Sequence, residues 1–170
     1  FENKTEKDEW RIMLNEAIEK VKQKQMFGVD LKELHRRSGQ EIPSFITSCV
    51  DVIKEYPDSI MEGVDASIME HAIDTVNNKG IITDLTAPLS FELLKLFLRQ
   101  LPTPLFNPLS DFINPSSFNV DTMQSLIRTL PSEYRHLIDV VFEVLNFLLR
   151  YNHIKYSPRV LSRTVSSCIG

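Results

Sequence analysis

The sequence lacks the clustered glycines and the metal-binding spacings on which many catalytic sites depend. Its five glycines stand singly, so no phosphate-binding loop of the GxxxxGK or GxGxxG kind is present. The four histidines and two cysteines show no HxxxH or CxxC spacing, and we expect neither a metal nor another cofactor. Cys49 and Cys168 are too few and too far apart for a disulfide framework. We therefore expect two free thiols in buried, apolar surroundings.

Net positive charge and long apolar runs are also missing. The chain carries 19 basic and 23 acidic residues, and its net charge of −4 argues against general binding to nucleic acid or to an anionic membrane. No apolar run reaches membrane-spanning length, and the charged start is unlike a signal peptide. Together with the two isolated cysteines, this pattern predicts a cytoplasmic protein without direct membrane insertion.

Apolar residues recur at three- and four-residue steps along nearly the whole chain, which is typical of helices. Residues 102–115 hold four of the nine prolines, which indicates a loop there. The only strand candidate is Gly80–Thr83. The sequence therefore predicts an all-α helical bundle. Its helices are predicted at residues 6–24, 42–57, 65–78, 86–101, 120–130 and 132–150, with a short helix near 109–113 and a last one after 157.

Two segments carry signatures of one protein family. Residues 90–106, SFELLKLFLRQLPTPLF, resemble the LLKxFLRxLPxPL signature of the RhoGAP family, the all-helical domains that accelerate GTP hydrolysis by Rho-type GTPases. Residues 126–148, LIRTLPSEYRHLIDVVFEVLNFL, are similar to the family's later helix pair, in which LPxxxR leads into a long buried helix. The resemblance implies a RhoGAP-like helical bundle over residues 27–170 that stops short of the family's final helices.

The family's catalytic arginine has no counterpart in the aligned loop. The resemblance implies a loop like EGIFRVSG, whose arginine enters the partner GTPase and neutralises charge during phosphoryl transfer. Residues 62–67 read EGVDAS, so Ala66 falls at the arginine position, and a methyl group carries no charge. Near the end the family has NxMTxxNLAxxFGP, where an asparagine contacts the GTPase, and this sequence has Val160 instead. Two lost polar groups predict a domain that binds without catalysing.

Lys95 and Arg99 match paired basic positions of the family and are the candidate GTPase-binding residues. They lie four residues apart on one predicted helix face. Like charges at this spacing cost an isolated helix about 0.2–0.5 kcal/mol, so helix stability does not account for the pair. The alternative is an ordinary solvated face on which Glu92 pairs with Lys95.

Arg36 and Arg37, in the segment ELHRRSG, are the other candidates for a catalytic arginine. The resemblance places them in a polar loop ahead of the helix that bears Pro43. Arginines in such a loop are usually solvated, but either could act as an alternative finger if the alignment at Ala66 were displaced.

The first 26 residues lie outside the match. The segment FENKTEKDEWRIMLNEAI resembles the closing strand residue and C-terminal helix of a pleckstrin-homology domain, which implies membrane targeting by a neighbouring domain. The alternative is an N-terminal helix packed on the bundle.

Three functions remain open from the sequence. The first is an interaction module that binds a Rho-family small GTPase, or another protein, without stimulating GTP hydrolysis, and is therefore not an enzyme. The second is an active GTPase activator that uses Arg36 or Arg37. The third is a structural scaffold domain on which Lys95 and Arg99 are ordinary surface charges.

Overall fold

The computed structural model describes residues 4–105 and 120–151, and every regular element in these ranges is helical. The predicted all-α class is confirmed, and residues 80–83 form no strand. The predicted helices near 109–113 and after 157 lie outside the described residues. The helices are α1 Lys4–Lys24, α2 Leu31–Ser38, α3 Ser44–Glu55, α4 Ala66–Lys79, α5 Ala87–Gln100, α6 Val120–Thr129 and α7 Ser132–Tyr151, with a 3₁₀ turn at Pro57–Ser59.

The core lies where α3, α5 and α7 meet. The rings of Phe27, Phe45 and Phe97 form its aromatic centre, with centroids 5.4 to 6.2 Å apart, and two of the three contacts are edge-on. Edge-on geometry is favourable because the positive ring edge meets the negative ring face. Cys49 is buried in the same core as a free thiol, as predicted, and burial raises its pKa to about 12. Cys168 lies outside the described residues.

Polar caps set the ends of the helices around the core. Asp65 caps the start of α4, and Gly80 ends it with φ of 73°, a left-handed conformation that costs glycine little. Thr86 begins α5 by accepting a hydrogen bond from the amide of Leu89, and Pro88 occupies the first turn, where a missing amide proton is tolerated. These signals account for the close agreement between the predicted and observed bounds of both helices.

Helix α2 corrects the prediction for Arg36 and Arg37, which lie on a helix and not in a polar loop. Asp30 caps its start by accepting a hydrogen bond from the amide two residues on, and Gly39 ends it with φ of 69°. The sequence reasoning overlooked this helix because two turns present only two apolar residues. These buried residues are Leu31 and Leu34.

Helix α1 does not pack along the bundle. All its described side chains, Glu6 through Lys24, are exposed, and the single tryptophan of the chain, Trp10, is 63% exposed. Only the C-terminal end of α1 approaches α4. The apolar side chains of α1 are thus left exposed over most of its length, and the assignment of residues 1–26 stays a prediction.

Candidate functional site

The loop that aligns with the family's catalytic loop leaves the core at Ile60. The 3₁₀ turn Pro57–Ser59 follows α3, Pro57 is buried, and Ile60 is only 1% exposed. Met61, Glu62 and Gly63 then return to the surface before α4 begins. One buried isoleucine thus anchors a short exposed loop beside the start of a helix.

Ala66 is the exposed first residue of α4. The preceding residue, Asp65, accepts hydrogen bonds from the Ser67 amide at 2.8 Å and from the Ser67 hydroxyl at 2.6 Å. The hydroxyl bond, followed by the amide bond, lowers the pKa of Asp65 below its usual value. A longer side chain at Ala66 would extend into solvent, so its methyl group is not required by packing.

The surroundings of Ala66 are acidic. Between Glu55 and Asn78 the sequence has six acidic residues and no lysine or arginine. The nearest preceding cation in the sequence, Lys54, is paired with Glu143 of α7 at 2.5 Å. A group that must neutralise developing negative charge on a phosphate would have to be positive, and this stretch of chain supplies only the opposite sign.

Helix α5 carries the candidate binding residues Lys95 and Arg99 on an otherwise buried helix that packs against α3 and α4. The Lys95 ammonium pairs with Glu92 and lies 5.1 Å from the ring centroid of Phe91. Its side chain is only 16% exposed, so it is less available than the predicted surface position implied. Arg99 is exposed, and no carboxylate pairs with it among the described residues. Of the two cations, Lys95 is therefore paired within α5, and Arg99, as far as the described residues go, is available to a partner.

Arg36 and Arg37 share one carboxylate on α2. Glu33 accepts two hydrogen bonds from Arg36, each 2.7 Å long, and a third of the same length from Arg37. These two guanidinium groups, Arg36 first, lower the pKa of Glu33 to about 2. Arg37 additionally donates to backbone carbonyls at the end of α1. Both alternative arginines are thus engaged within the domain.

One hydrogen bond close to the loop that precedes Ala66 could not be inferred from the sequence. The hydroxyl of Tyr151, the last residue of α7, donates to Asp58 of the 3₁₀ turn at 3.4 Å. The two residues are far apart in the sequence, so periodicity alone could not join them. Val160 lies outside the described residues, and its alignment with the family's asparagine stays a prediction.

Neither a metal centre nor a membrane segment was found in the described ranges. Within residues 4–105 and 120–151, no three histidine, cysteine, aspartate or glutamate side chains come together as a metal site. No helix in the same part of the chain has both the length and the apolar composition needed to cross a membrane.

Sequence comparison matches residues 43–169 to the RhoGAP domain model. Rho GTPase-activating protein 12 of Macaca fascicularis is 27% identical over 135 residues, which cover 69% of this chain and 16% of that protein. GTPase-activating protein CdGAPr of Drosophila melanogaster is 25% identical over 144 residues, which cover 77% of this chain and 8% of that protein. The chain thus spans less than a fifth of either relative.

Structure comparison gives the same fold. The crystal structure of human Rho GTPase activating protein 15 (ARHGAP15) superposes with a TM-score of 0.74 at 19% sequence identity. The match covers 86% of this chain and 78% of that one. At this identity the likeness establishes the helical architecture, and the roles of individual residues have to be argued from their own chemistry.

Proposed function

Since the chain belongs to the RhoGAP domain family, we propose that it acts in Rho GTPase signalling by binding a Rho-type GTPase without accelerating GTP hydrolysis. The proposal rests on the predicted alignment of Ala66 with the family's arginine, and it is supported by the exposure of the Ala66 methyl group at the start of α4. The domain would then keep the family's scaffold and lose the group that acts on the phosphate.

The large rate acceleration that an arginine finger supplies supports the proposal that a domain without this arginine does not activate GTP hydrolysis. An arginine finger accelerates GTP hydrolysis by about 10³ to 10⁵, which corresponds to roughly 4–7 kcal/mol of transition-state stabilisation. The effect requires a positive charge held in a site that excludes water. Nothing between Glu55 and Asn78 carries such a charge. Glu62 and Asp65 precede the position instead and would repel phosphate oxygens.

The binding part of the proposal rests on α5. Arg99 presents an exposed guanidinium on a helix whose other side is fixed in the core, so the cation is held on a rigid element. Lys95 lies one turn away and keeps its charge close to Glu92. Cations at the rim of an interface mainly raise the association rate and steer the orientation of an acidic partner. The pair therefore suits recognition of a GTPase surface more than chemistry on its nucleotide.

An active domain that uses Arg36 or Arg37 is less favoured by the contacts. Arg37 would have to give up Glu33 and the carbonyls at the end of α1 before it could enter a partner. Arg36 is more exposed but is held bidentately by the same carboxylate. Neither guanidinium is poised at a surface loop, which is the arrangement that an inserted finger requires.

The test is single-turnover GTP hydrolysis by a panel of GTP-loaded Rho-type GTPases, with this domain in excess and binding measured on the same samples. We expect binding to at least one GTPase with hydrolysis at its intrinsic rate. Acceleration that disappears in Arg36→Ala or Arg37→Ala would instead identify an active domain. Absence of both binding and acceleration would leave a scaffold domain or a partner of another kind.

We also propose that residues 1–26 belong with a separate folded unit, as their resemblance to the end of a pleckstrin-homology domain implies. The exposed apolar side chains of α1, Trp10 and Leu14 among them, support this because nothing described in the chain covers them. Such a unit would place the GTPase-binding domain near a membrane. Chemical shifts of α1 in a longer chain, compared with this one, would show whether Trp10 becomes buried.

A further inference from the structure

The C-terminal end of α1 needs hydrogen-bond donors from outside the helix. The last four carbonyl groups of an α-helix have no amide partner within it, and they carry the negative end of the helix dipole. Here one short-range bond, from the Gln25 amide to the Lys22 carbonyl at 3.2 Å, closes the final turn. The carbonyls of this turn, that of Lys22 included, can accept further hydrogen bonds, and a cation is the most favourable donor.

Arg37 of α2 supplies that donor. Its Nη1 lies 2.9 Å from the Lys22 carbonyl oxygen, 3.2 Å from that of Gln25 and 3.3 Å from that of Gln23. Its Nε donates to Glu33 at 2.7 Å, which fixes the plane of the guanidinium. The side chain is 22% exposed, whereas that of Arg36 is 72% exposed and contacts no carbonyl.

Two further contacts fix the connection between α1 and α2. The Met26 amide donates to Asn77 Oδ1 of α4 at 2.8 Å. The next residue, Phe27, is buried against the rings of Phe45 and Phe97. The connection after α1 is therefore fixed by the Met26 amide bond and by the buried Phe27 ring. Arg37 donates to carbonyls just before these two residues.

We propose that Arg37 is a clamp that joins α1 rigidly to the bundle, although α1 buries almost none of its own surface. The planar guanidinium can bridge several carbonyls and one carboxylate at once, which a lysine ammonium on a flexible stem does less well. Whatever is attached to or bound on α1 is thereby held in one orientation relative to α2 and α4. This role explains Arg37 without any part in GTP hydrolysis.

The adjacent arginines provide a matched test. Arg37→Gln removes the cation that contacts the carbonyls, while Arg36→Gln removes an equal charge from the same Glu33. Trp10 is the only tryptophan and lies on α1, so its time-resolved fluorescence anisotropy reports the motion of that helix. We expect the slow decay of whole-protein tumbling in the wild type and in Arg36→Gln, and loss of slow-component amplitude in Arg37→Gln. Amide exchange at residues 22–26 should become about tenfold faster in that variant alone.

Two results from the wild type and the glutamine variants would overturn the clamp. One is independent motion of α1 already in the wild type, and the other is equal behaviour of the two glutamine variants. If Arg37→Gln fails to fold, Arg37→Lys keeps the charge and is expected to restore folding with an intermediate loss of slow anisotropy. A lysine variant indistinguishable from the wild type would assign the effect to charge alone and also contradict the clamp.

Discussion

Helix α5 and the loop from Ile60 to Ala66 each carry candidate site residues but are determined by different forces. Most of α5 is buried, and its sequence is set by packing against α3 and α4, with Arg99 left as an exposed cation. The loop has one buried anchor, Ile60, and its remaining side chains are exposed or only partly buried, with acidic or neutral chemistry. Substitutions of the buried residues of α5 should therefore change stability, whereas substitutions of Ala66 should change chemistry without a matching change in stability.

On the proposed alignment of Ala66, this contrast would be an example of a fold that outlasts an activity. The free energy of folding comes mainly from apolar burial, and Ala66 contributes nothing to that burial. Replacing a charged finger by alanine at such a position leaves the core unaffected while removing a charge worth about 10³ or more in rate. The proposal therefore predicts that stability and catalysis are separable in this domain, and the substitutions below test this separation.

The largest expected effect is on the core. Phe97→Ala should lower the free energy of unfolding by about 3–5 kcal/mol, because Phe97 is 1% exposed and contacts two other aromatic rings. The exposed Ile68 of α4 is the control, and Ile68→Ala should stay within about 0.5 kcal/mol of the wild type. Urea unfolding measures both, and similar losses would contradict the assignment of the core.

A smaller effect is expected on partner binding. Arg99→Glu should slow association with a GTPase roughly tenfold without a matching loss of stability, since Arg99 is exposed and unpaired among the described residues. Arg128→Glu, at an exposed position on α6, makes the same charge change elsewhere. Association rates at low and high salt distinguish the two. An unchanged rate and an unchanged salt dependence in Arg99→Glu would remove α5 from the interface.

The cap of α4 should have an effect on the order of 1 kcal/mol. Asp65→Ala removes the acceptor for the Ser67 amide, so the first turn of α4 should fray and the unfolding midpoint in urea should fall. Asp74→Ala, at an exposed position within α4, removes a carboxylate that caps nothing and serves as the control. Equal unfolding midpoints for the two variants would mean that the Asp65 cap does not stabilise α4.

The smallest effect is a pH dependence at Glu33. Its pKa is lowered to about 2 from an ordinary value of 4.5, so the folded state favours the ionised carboxylate. The stabilisation is fully present above pH 4.5 and is lost as the pH falls towards 2. The difference in unfolding temperature between the wild type and Glu33→Gln should shrink across this window. A difference that stays constant from pH 6 to 2 would contradict the pairing with Arg36 and Arg37.

The long helices could be predicted because their signals are local. Helices α4, α5 and α7 each combine an apolar stripe with a capping residue, a proline or a glycine at the expected end. Helix α2 could not be recognised from its apolar residues, since eight residues are too short to show a repeat every three or four positions. Asp30 and Gly39 were the available signals for the two ends of this helix. They identify the helix only together with the burial of Leu31 and Leu34, which the sequence does not show.

The sequence named the candidate site residues, whose roles stay predictions, but it did not show their contacts. The alignment placed Ala66, Lys95 and Arg99 from motifs alone, whereas the engagement of Arg37 depends on carbonyls 12 to 15 residues away. Every residue has a backbone carbonyl, so the sequence does not indicate which carbonyls will accept a hydrogen bond from Arg37. The exposure of α1 was equally hidden, because an apolar stripe does not indicate what covers it.

The central claim is tested most directly by single-turnover GTP hydrolysis with the wild type, Ala66→Arg and Ala66→Gln side by side on a GTPase that binds all three. We expect the wild type and Ala66→Gln to leave the intrinsic rate unchanged. Ala66→Arg should raise it by about tenfold or more, though by less than the roughly 10³ to 10⁵ of a complete site. Acceleration by the wild type would contradict the account, because the domain would then be an activator without the charge at Ala66.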